Sequence, residues 1–547
     1  MKYFVLILVL LTSTSVLAQH SHKMTETPTE LMPGLGDVNH PVTTRNPEAQ
    51  KFFDQGLAYL YGFNHDEAVR SFKRAVALDP QLAMAYWGIS LALGSNYNLQ
   101  AEGPQLLEAY SNLQKAKSLA PTASEPEQSY IAALSKRYSA DIQTDQAKLA
   151  LEYKNAMGDL ARRYPDDLDA ATLYAESMMN LRPWKLWTAD GKPAEGTEEI
   201  VMVLESVLRR NPNHSGANHY YIHAVEASTT PERALASAAR LGRVAPKAGH
   251  LVHMPSHIYI RTGDYLEAAQ SNADAIAADR EYMQKTGAQG VYTMMYYNHN
   301  VHFLASASAM KGRYVDAIKS ARELEADVKP LVGSMAMLEM FVPYPLVTQV
   351  RFSKWDEILN TPKPEATLKI TTAFWHFARG MAYSGKKDVK NADVELRALQ
   401  SVSKEIKPDG PFGNNVVGDI LRVADRTLQA KLAFAKGDQK LANELFVKAV
   451  EADDAVHYNE PPDWDLPVRE IYGGVLLMNG ENAEAEKVFR AEITRHLRNG
   501  RALFGLAESL KRQGKESAAT MVQREFSQAW SNADTKLTVN ALAGMNE

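Results

Sequence analysis

The chain has 547 residues and no cysteine, and its 60 basic and 65 acidic residues leave a net charge of −5. The lack of cysteine excludes disulfides, thiolate metal sites and thiol nucleophiles. A nearly balanced charge without a basic run argues against nucleic acid or an anionic membrane surface as the main partner. A chain of this length is too long for one compact core, so we expect several domains or a repeat array.

The N-terminus has the pattern of a secretory signal peptide over residues 1–18. Lys2 supplies the positive charge, an apolar run covers 4–11, and the small-residue cleavage site ends at Ala18. Residues 19–45 are predicted to form a flexible polar segment. No later stretch approaches the roughly 20 apolar residues needed to cross a bilayer. We therefore expect an exported protein, periplasmic or secreted, with no transmembrane segment in the mature chain.

An internal repeat begins directly after this segment. Residues 49–80 read AQKFFDQGLAYLYGFNHDEAVRSFKRAVALDP, with small residues at Gly56 and Ala68, aromatic residues at Phe52 and Phe72, and a terminating Pro80. Small residues let two antiparallel helices approach, large residues fill the gaps, and proline ends the second helix. With Ala49 as position 1, this unit resembles the 34-residue tetratricopeptide repeat at nearly every signature position.

The same frame recurs along the chain and predicts the domain organisation. The fifth repeat starts at Ser215, the sixth at Gly249 and the seventh at Asn298, and the fourth is split by an insert over 182–198. The resemblance predicts an all-α tetratricopeptide-repeat solenoid, a right-handed superhelix of about eleven or twelve helical hairpins. We assign 46–455 to this solenoid and 456–547 to a C-terminal loop followed by terminal hairpins.

Histidine is concentrated in the middle of this solenoid. Seven of the 15 histidines lie between residues 219 and 302, in the first helices of repeats five, six and seven. In the family, positions 2, 5, 9 and 12 of the first helix line the concave groove, and a spacing of 3, 4 and 3 also places them on one helical face. The residues at these positions are His219, His223, Glu226, His250, His253, His257, His299 and His302.

Side chains that share one surface on neighbouring helices can share an ion, because such helices pack about 8 to 10 Å apart. Imidazoles with one carboxylate and no thiolate suit zinc or copper best, while nickel and non-haem iron also fit. We therefore predict a transition-metal site in the groove over 215–310, formed by these eight residues. Glu226 is either a ligand or a general base beside a metal-bound water. Glu176 of repeat four is a further candidate.

Two other functions remain open from the sequence. The groove of a metal-free scaffold would hold a peptide, a partner protein or a small molecule through the same histidines. A metal-dependent hydrolase or oxidase would use Glu226 as its base. The segment 458–465, the turn at Tyr97 and the insert carrying Trp184 and Trp187 either cover the groove or simply connect helices. Pro255 interrupts the first helix of repeat six and is expected to kink it.

Three segments extend the resemblance beyond the repeat itself. They read HYYIHAVEAS over 219–228, GHLVHMPSHIYIRTGDY over 249–265 and NHNVHF over 298–303. With YNEPPDWDLPVRE over 458–470, they are similar to a group of exported bacterial tetratricopeptide-repeat proteins. The resemblance implies the fold and the compartment and no particular reaction.

Overall fold

The computed structural model describes residues 29–188 and 191–546, and nearly all of its regular structure is helical. The predicted signal peptide and the start of the following segment lie outside the described residues. The helices of the first seven hairpins are α1 Pro47–Tyr61, α2 His65–Leu78, α3 Ala83–Ala92, α4 Gly103–Leu119, α5 Glu125–Leu134, α6 Gln146–Arg163, α7 Leu168–Met179, α8 Thr197–Arg210, α9 Ser215–Val225, α10 Leu235–Val244, α11 Gly249–His253, α12 Pro255–Thr262, α13 Tyr265–Thr286, α14 Asn298–Met310 and α15 Tyr314–Val328.

The remaining hairpins continue the same pattern. Their helices are α16 Tyr344–Arg351, α17 Trp355–Asn360, α18 Lys369–Gly385, α19 Val389–Ser403, α20 Val417–Ala435, α21 Gln439–Asp454, α22 Val468–Met478, α23 Asn482–Arg495, α24 Gly500–Arg512, α25 Glu516–Ala529 and the short α26 Val539–Leu542. Short 3-10 turns cover Ala120–Thr122, Pro231–Ala234, Lys329–Leu331 and Ala336–Phe341, a π-helical turn covers Tyr292–Tyr297, and Pro411–Phe412 (β1) pairs antiparallel with Asn415–Val416 (β2). The protein is the all-α solenoid of tetratricopeptide-type hairpins that the sequence predicts. Each predicted repeat corresponds to one hairpin.

The repeat chemistry explains how closely the helices pack. A Cβ added at Gly56 or at Gly88 would collide with the buried ring of Phe72, which lies between the first two hairpins. Only glycine leaves room for that ring, so the aromatic residue at the middle of the second helix and the two glycines depend on each other. Gly473 and Gly505 leave the same space for Phe489 near the other end of the chain.

Pro255 divides the first helix of the sixth repeat into α11 and α12. Proline has no backbone N–H to donate into the preceding turn, so the regular hydrogen bonding stops at His253 and restarts at Pro255. The linking residue Met254 keeps helical dihedral angles, with φ −52° and ψ −34°. The interruption of the hydrogen bonding separates His250 and His253 from His257, and the predicted kink stays a prediction.

Both ends of the described chain pack against the middle of the solenoid. At the N-terminal end, the first hairpin contacts α9, and the carbonyl of Tyr61 accepts a hydrogen bond from His219. At the C-terminal end, Tyr265 donates a 2.9 Å hydrogen bond to the carbonyl of Leu497, and Thr535 donates one to the carbonyl of Gly312. The superhelix is thus closed around the repeats that carry the histidine cluster.

The described part of the predicted flexible segment lies on this surface and does not extend freely into solvent. Gln55 accepts a 2.7 Å hydrogen bond from the backbone of Met32, and Leu35 is buried. His40 donates through Nδ1 to Asp169 at 2.8 Å. In these contacts, polar side chains of the solenoid satisfy backbone groups of this segment.

No helix in the described ranges combines the length and the apolar character needed to cross a membrane.

Candidate metal centre

Six of the seven predicted histidines meet in one buried cluster. Helix α9 carries His219 and His223 and ends at the cap residue Glu226, α11 carries His250 and His253, α12 carries His257, and α14 carries His299. They lie on adjacent first helices, as the register predicts. The cluster is nevertheless enclosed within the protein and is not open to a groove, because its five histidines on α9, α11 and α12 and the cap residue Glu226 are at most 2% exposed.

The first three-histidine group consists of His219, His223 and His250. One nitrogen from each of these rings lies within 4.8 Å of the other two. The Nε2 atoms of His219 and His250 are 3.1 Å apart. On its far side, His219 donates through Nδ1 to the carbonyl of Tyr61 at 2.6 Å. That bond leaves Nε2 of the neutral His219 ring with a free lone pair directed into the group.

The second group consists of His253, His257 and His299, again with one nitrogen from each ring within 4.8 Å of the others. The Nε2 atoms of His253 and His257 are 2.8 Å apart. His253 donates through Nδ1 to Oδ1 of Asn272 at 2.7 Å, and the amide nitrogen of Asn272 donates to the carbonyl of Ala268, which fixes the orientation of the amide. This group therefore has the same arrangement, with supporting acceptors outside and Nε2 atoms inside.

Glu226 connects the two groups from behind. Its Oε1 accepts a 2.8 Å hydrogen bond from Nδ1 of His223, and its Oε2 accepts one from Nδ1 of His257. Burial would raise the pKa of Glu226, but the charges and hydrogen bonds of His257 and His223 outweigh burial and lower the pKa to about 2. A carboxylate only accepts hydrogen bonds, so it sets the tautomer in which Nε2 of both rings is free to bind a metal.

This position differs from the direct role predicted for Glu226. Each of its oxygens already accepts a hydrogen bond from an imidazole, so the carboxylate is placed to orient the two rings. The set His223, Glu226 and His257 also has its potential ligand atoms within 4.8 Å of one another. An ion bound there through Nδ1 of both rings would displace both Nδ1 protons, and the hydrogen bonds of His223 and His257 to Glu226 would be lost.

In the second group the facing lone pairs cannot satisfy one another. Nδ1 of His253 and Nδ1 of His257 both donate to acceptors, so in the neutral rings their facing Nε2 atoms both carry lone pairs. Burial, followed by the charges of His299 and His257, lowers the pKa of His253 well below its ordinary value, which disfavours a proton between the rings. Nε2 of His223 is also buried and has no hydrogen-bond partner in the described part of the chain. A cation bound by these atoms would remove both unfavourable features.

Aromatic side chains from distant repeats surround the first group. The centroid of the Phe63 ring is 4.4 Å from that of His219 and 5.5 Å from that of His250. Tyr97 lies 5.2 Å and Trp184 5.7 Å from His223, measured between ring centroids. The turn at Tyr97 and the insert around Trp184 therefore cover the cluster. The sequence had left open whether these segments cover the site or simply connect helices.

Phe63 is a site residue that the sequence reasoning did not identify. Its φ of 54° places it in the left-handed region, at position 15 of the first repeat, where the sixth and seventh repeats have Gly263 and Gly312 with φ of 78°. A phenylalanine in this conformation is strained by about 1–2 kcal/mol relative to the right-handed region. A bulky residue at a turn position that elsewhere holds glycine is the signal that could have drawn attention to it.

Two predicted candidates lie outside the cluster. The ring of His302 packs against Tyr344 and Phe341, with centroids 4.4 and 5.3 Å away, and burial lowers its pKa to about 3. Glu176 accepts a hydrogen bond from Asn180, and the charge of Arg137 acts on it. Neither belongs to a group of potential ligands in the described residues.

The segment 458–465 lies beside the cluster, next to α12 and α14. The guanidinium of Arg261, one turn beyond His257, is 5.4 Å from the centre of the Tyr458 ring. At the other end of the segment, Asp465 accepts hydrogen bonds from Ser306 and Tyr344. The segment is thus held by contacts at both ends.

The chemistry of each group is that of three neutral imidazoles without thiolate or direct carboxylate. This donor set matches zinc and copper and accommodates nickel and iron(II). The two groups are adjacent, because the ring centroids of His223 and His257 are 5.5 Å apart and those of His250 and His253 are 5.7 Å apart. The side chains are therefore suited to two ions bound close together.

No protein-family model matches the chain, and no curated protein matches it. Among solved structures, the human IFIT1 dimer with PPP-AAAA is 14% identical over 87% of this chain and 89% of that chain, with a TM-score of 0.32. Yeast Tom70 is 11% identical over 92% of this chain and 95% of that chain, with a TM-score of 0.27. Naa15/Naa10 bound to HypK-THB is 12% identical over 89% of this chain and 71% of that chain, with a TM-score of 0.22. TM-scores this low carry no argument about what this chain binds.

Proposed function

We propose that this protein is an exported helical-repeat scaffold that binds two transition-metal ions, one in each three-histidine group. The observation that carries the proposal is the 2.8 Å approach of Nε2 of His253 to Nε2 of His257 while Nδ1 of each ring donates to another residue. Two buried lone pairs at that distance repel each other unless a cation lies between or beside them. Zinc and copper are the ions that the donor set favours.

The arrangement around four of the six rings supports this proposal. Ligating histidines usually donate their second nitrogen to a carboxylate or a carbonyl, which orients the ring and increases its basicity. Here Tyr61, Asn272 and Glu226 accept these hydrogen bonds. Because Glu226 accepts with both oxygens, there are four such hydrogen bonds. A hydrogen-bonded polar core would not need all four on the side away from a shared centre.

The test is metal analysis of untagged protein purified without chelator and then reloaded separately with zinc, copper, nickel and iron(II). We expect up to two ions per chain for the preferred metal, and a visible or spin-resonance spectrum typical of nitrogen ligands if that metal is copper. The double variant His253→Ala/His257→Ala should retain one ion. Clearly less than one ion per chain after every reloading would refute the proposal.

A metal-free scaffold is the alternative that the fold class itself favours, since repeat solenoids commonly bind peptides or proteins. In that case the histidines would need to reach the partner. Their burial by both ends of the chain argues against this use of the cluster, although other surfaces remain free for a partner. A metal-dependent hydrolase or oxidase would need a base other than Glu226.

Export is part of the proposal and is supported by the charge, apolar run and cleavage pattern of residues 1–18. Expression of the full-length gene, followed by cell fractionation and mass analysis of the mature chain, tests it. We expect the protein outside the cytoplasm with Gln19 as its first residue. Recovery from the cytoplasm with residues 1–18 intact would contradict it.

A further inference from the structure

Outer hydrogen-bond acceptors orient four of the six clustered histidines, and the other two, His250 and His299, have none among the described residues. Nδ1 of His250 is buried and finds no hydrogen-bond partner across residues 29–188 and 191–546. The ring of His299 lies against those of His253, His257 and Phe303, and neither of its nitrogens forms a hydrogen bond with a described residue. Each three-histidine group therefore contains one ring whose position depends on the backbone that carries it.

We propose that Asp279 is the positioning residue for these two histidines, and thus for one ligand of each group. It lies on α13, which packs against both α11 and α14, the helices that carry His250 and His299. Asp279 itself belongs to no set of potential ligand atoms in the described ranges. This role rests on the proposed function, because it concerns how the two metal groups are held in shape.

The link from Asp279 to His250 runs through a tyrosine. Tyr292 donates a 2.8 Å hydrogen bond from its phenol to Oδ1 of Asp279, and the same phenol oxygen accepts a 3.1 Å hydrogen bond from the backbone N–H of His250. This N–H lies in the first turn of α11, where the preceding Ala248 offers no side-chain acceptor. A Cβ at Gly249 would collide with the carboxylate of Asp279, so glycine is what lets the start of α11 approach it.

The link from Asp279 to His299 runs through the next residue of α14. Asn300 is fully buried and donates a 2.8 Å hydrogen bond from its amide nitrogen to Oδ2 of Asp279. Consecutive residues of a helix share one regular backbone, so a contact that fixes Asn300 also fixes the direction from which His299 enters the second group. The two oxygens of one carboxylate thus hold the starts of α11 and α14 relative to each other.

A carboxylate is unfavourable in this position, so packing alone does not explain it. Asp279 is 1% exposed, and no lysine or arginine of the described chain pairs with it. Burial raises its pKa to about 7, although the hydrogen bonds of Tyr292 and Asn300 act in the opposite direction. Burying a charge without a cation costs free energy. A carboxylate does, however, accept with both oxygens at once, which joining donors on two helices requires.

The variants Tyr292→Phe and Asn300→Ala test the two links separately. Tyr292→Phe removes the acceptor of the His250 N–H and is expected to weaken ion binding in the first group about tenfold, with less than about a threefold change in the second. Asn300→Ala should have the opposite selectivity. Competition with a coloured chelator measures each affinity in chains that retain only one three-histidine group, obtained by replacing two histidines of the other group with alanine.

Substitutions of Asp279 itself separate positioning by hydrogen bonds from an effect of charge. Asp279→Ala removes both links and should weaken both ions about tenfold. Asp279→Asn should keep both affinities within about threefold of the parent, because its amide oxygen can accept from Tyr292 and its NH₂ can donate to a rotated amide of Asn300. The oxygen of that Asn300 amide is buried and has no other partner in the described chain.

Tyr265→Phe is the matched control for Tyr292→Phe. It also removes one buried phenol hydrogen bond, that to the carbonyl of Leu497, and it belongs to neither link. It should lower the melting temperature as Tyr292→Phe does and leave both ion affinities unchanged. If Asn300→Ala or Asp279→Ala does not fold, this comparison still decides the link to His250.

Three results would overturn the role of Asp279 while the proposed function stands, provided that the parent binds two ions. These are equal losses of affinity in Tyr292→Phe and Tyr265→Phe, equal losses in both groups for a variant of one link, and an affinity of Asp279→Asn as low as that of Asp279→Ala. The last would show that the charge and not the hydrogen bonds carries the effect. A parent chain that binds no metal would refute both proposals.

Discussion

The carbonyl oxygen of Tyr61 and Nδ1 of His219 form a 2.6 Å hydrogen bond across 158 positions of sequence. Because a carbonyl only accepts, this bond places the proton of the neutral His219 ring on Nδ1 and leaves Nε2 free. The phenol of the same Tyr61 donates to the carboxylate of Asp169. The end of the first helix is therefore fixed at both ends of Tyr61 and aligns the first three-histidine group.

Glu226→Gln is expected to weaken metal binding in both groups by about 10- to 100-fold. The amide offers one acceptor and one NH₂ donor, so only one of His223 and His257 can keep its Nδ1 donation, and the other ring must turn or change tautomer. Competition with a coloured chelator measures the affinity. The matched control is Glu176→Gln, which removes another buried carboxylate at a distance from both groups. Equal losses in the two variants would show that Glu226 has no special role.

His299→Ala is expected to lose one ion per chain, whereas His302→Ala should lose none. His299 contributes a nitrogen to the second group, while His302 packs between Phe341 and Tyr344. His302→Ala should still lower the stability, because it leaves a cavity among aromatic rings. Metal content by mass spectrometry, with melting temperature as the check on folding, separates the two effects. Loss of an ion in His302→Ala alone would contradict the assignment.

Phe63→Gly is expected to destabilise the protein by about 3 kcal/mol and to weaken the first metal site. Glycine relieves the left-handed backbone, but the ring that covers His219 and His250 is lost. The matched variant is Lys387→Gly, since Lys387 has φ of 61° and an exposed side chain. It should stabilise the protein by up to about 1 kcal/mol. Chemical denaturation measures both, and a stabilising Phe63→Gly would show that its ring contributes nothing.

Lys431 predicts a pH dependence of stability. Its ammonium group is fully buried and donates to the carbonyl of Ala543, and burial lowers its pKa from 10.5 to about 7. Between these values the unfolded chain holds a proton that the folded chain does not, so the contribution of Lys431 to stability rises with pH through this window. Below it, the full cost of burying the charge applies.

Comparison with Lys431→Met isolates this effect, because methionine does not titrate. The melting temperature of the parent minus that of the variant should increase as the pH rises from about 7 towards the unfolded value of 10.5. Thermal unfolding at several pH values measures it. A difference that stays constant or falls with pH would contradict the lowered pKa.

The sequence predicted the hairpins and the convergence of the histidines, because both follow from local periodicity. The repeat frame places His219, His250 and His299 on corresponding faces, and neighbouring first helices necessarily lie side by side. The structure does not bring His302 into the cluster. Although it occupies position 5, its helix turns it towards the next hairpin, where Phe341 and Tyr344 offer a buried aromatic contact.

Contacts made by closure of the superhelix could not be predicted in this way. Phe63 and Tyr61 reach the cluster from a hairpin four repeats away, and no local pattern records how far the solenoid turns per repeat. The role of Glu226 depends on which nitrogen of each imidazole ring faces its carboxylate. Spacing along a helix places the residue on the correct face without distinguishing a ligand from the group that orients one.

The enclosure of the six imidazoles also affects the rate at which a bound ion would exchange. An ion bound by these buried imidazoles would exchange only when the structure that covers them opens, and such openings are slower than side-chain motion. Metal loading would then be coupled to folding or to rare local opening of the superhelix. A loaded chain would retain its ions during dialysis for far longer than their equilibrium affinity suggests. In the proposed function, the protein would act as a slowly exchanging store of metal ions.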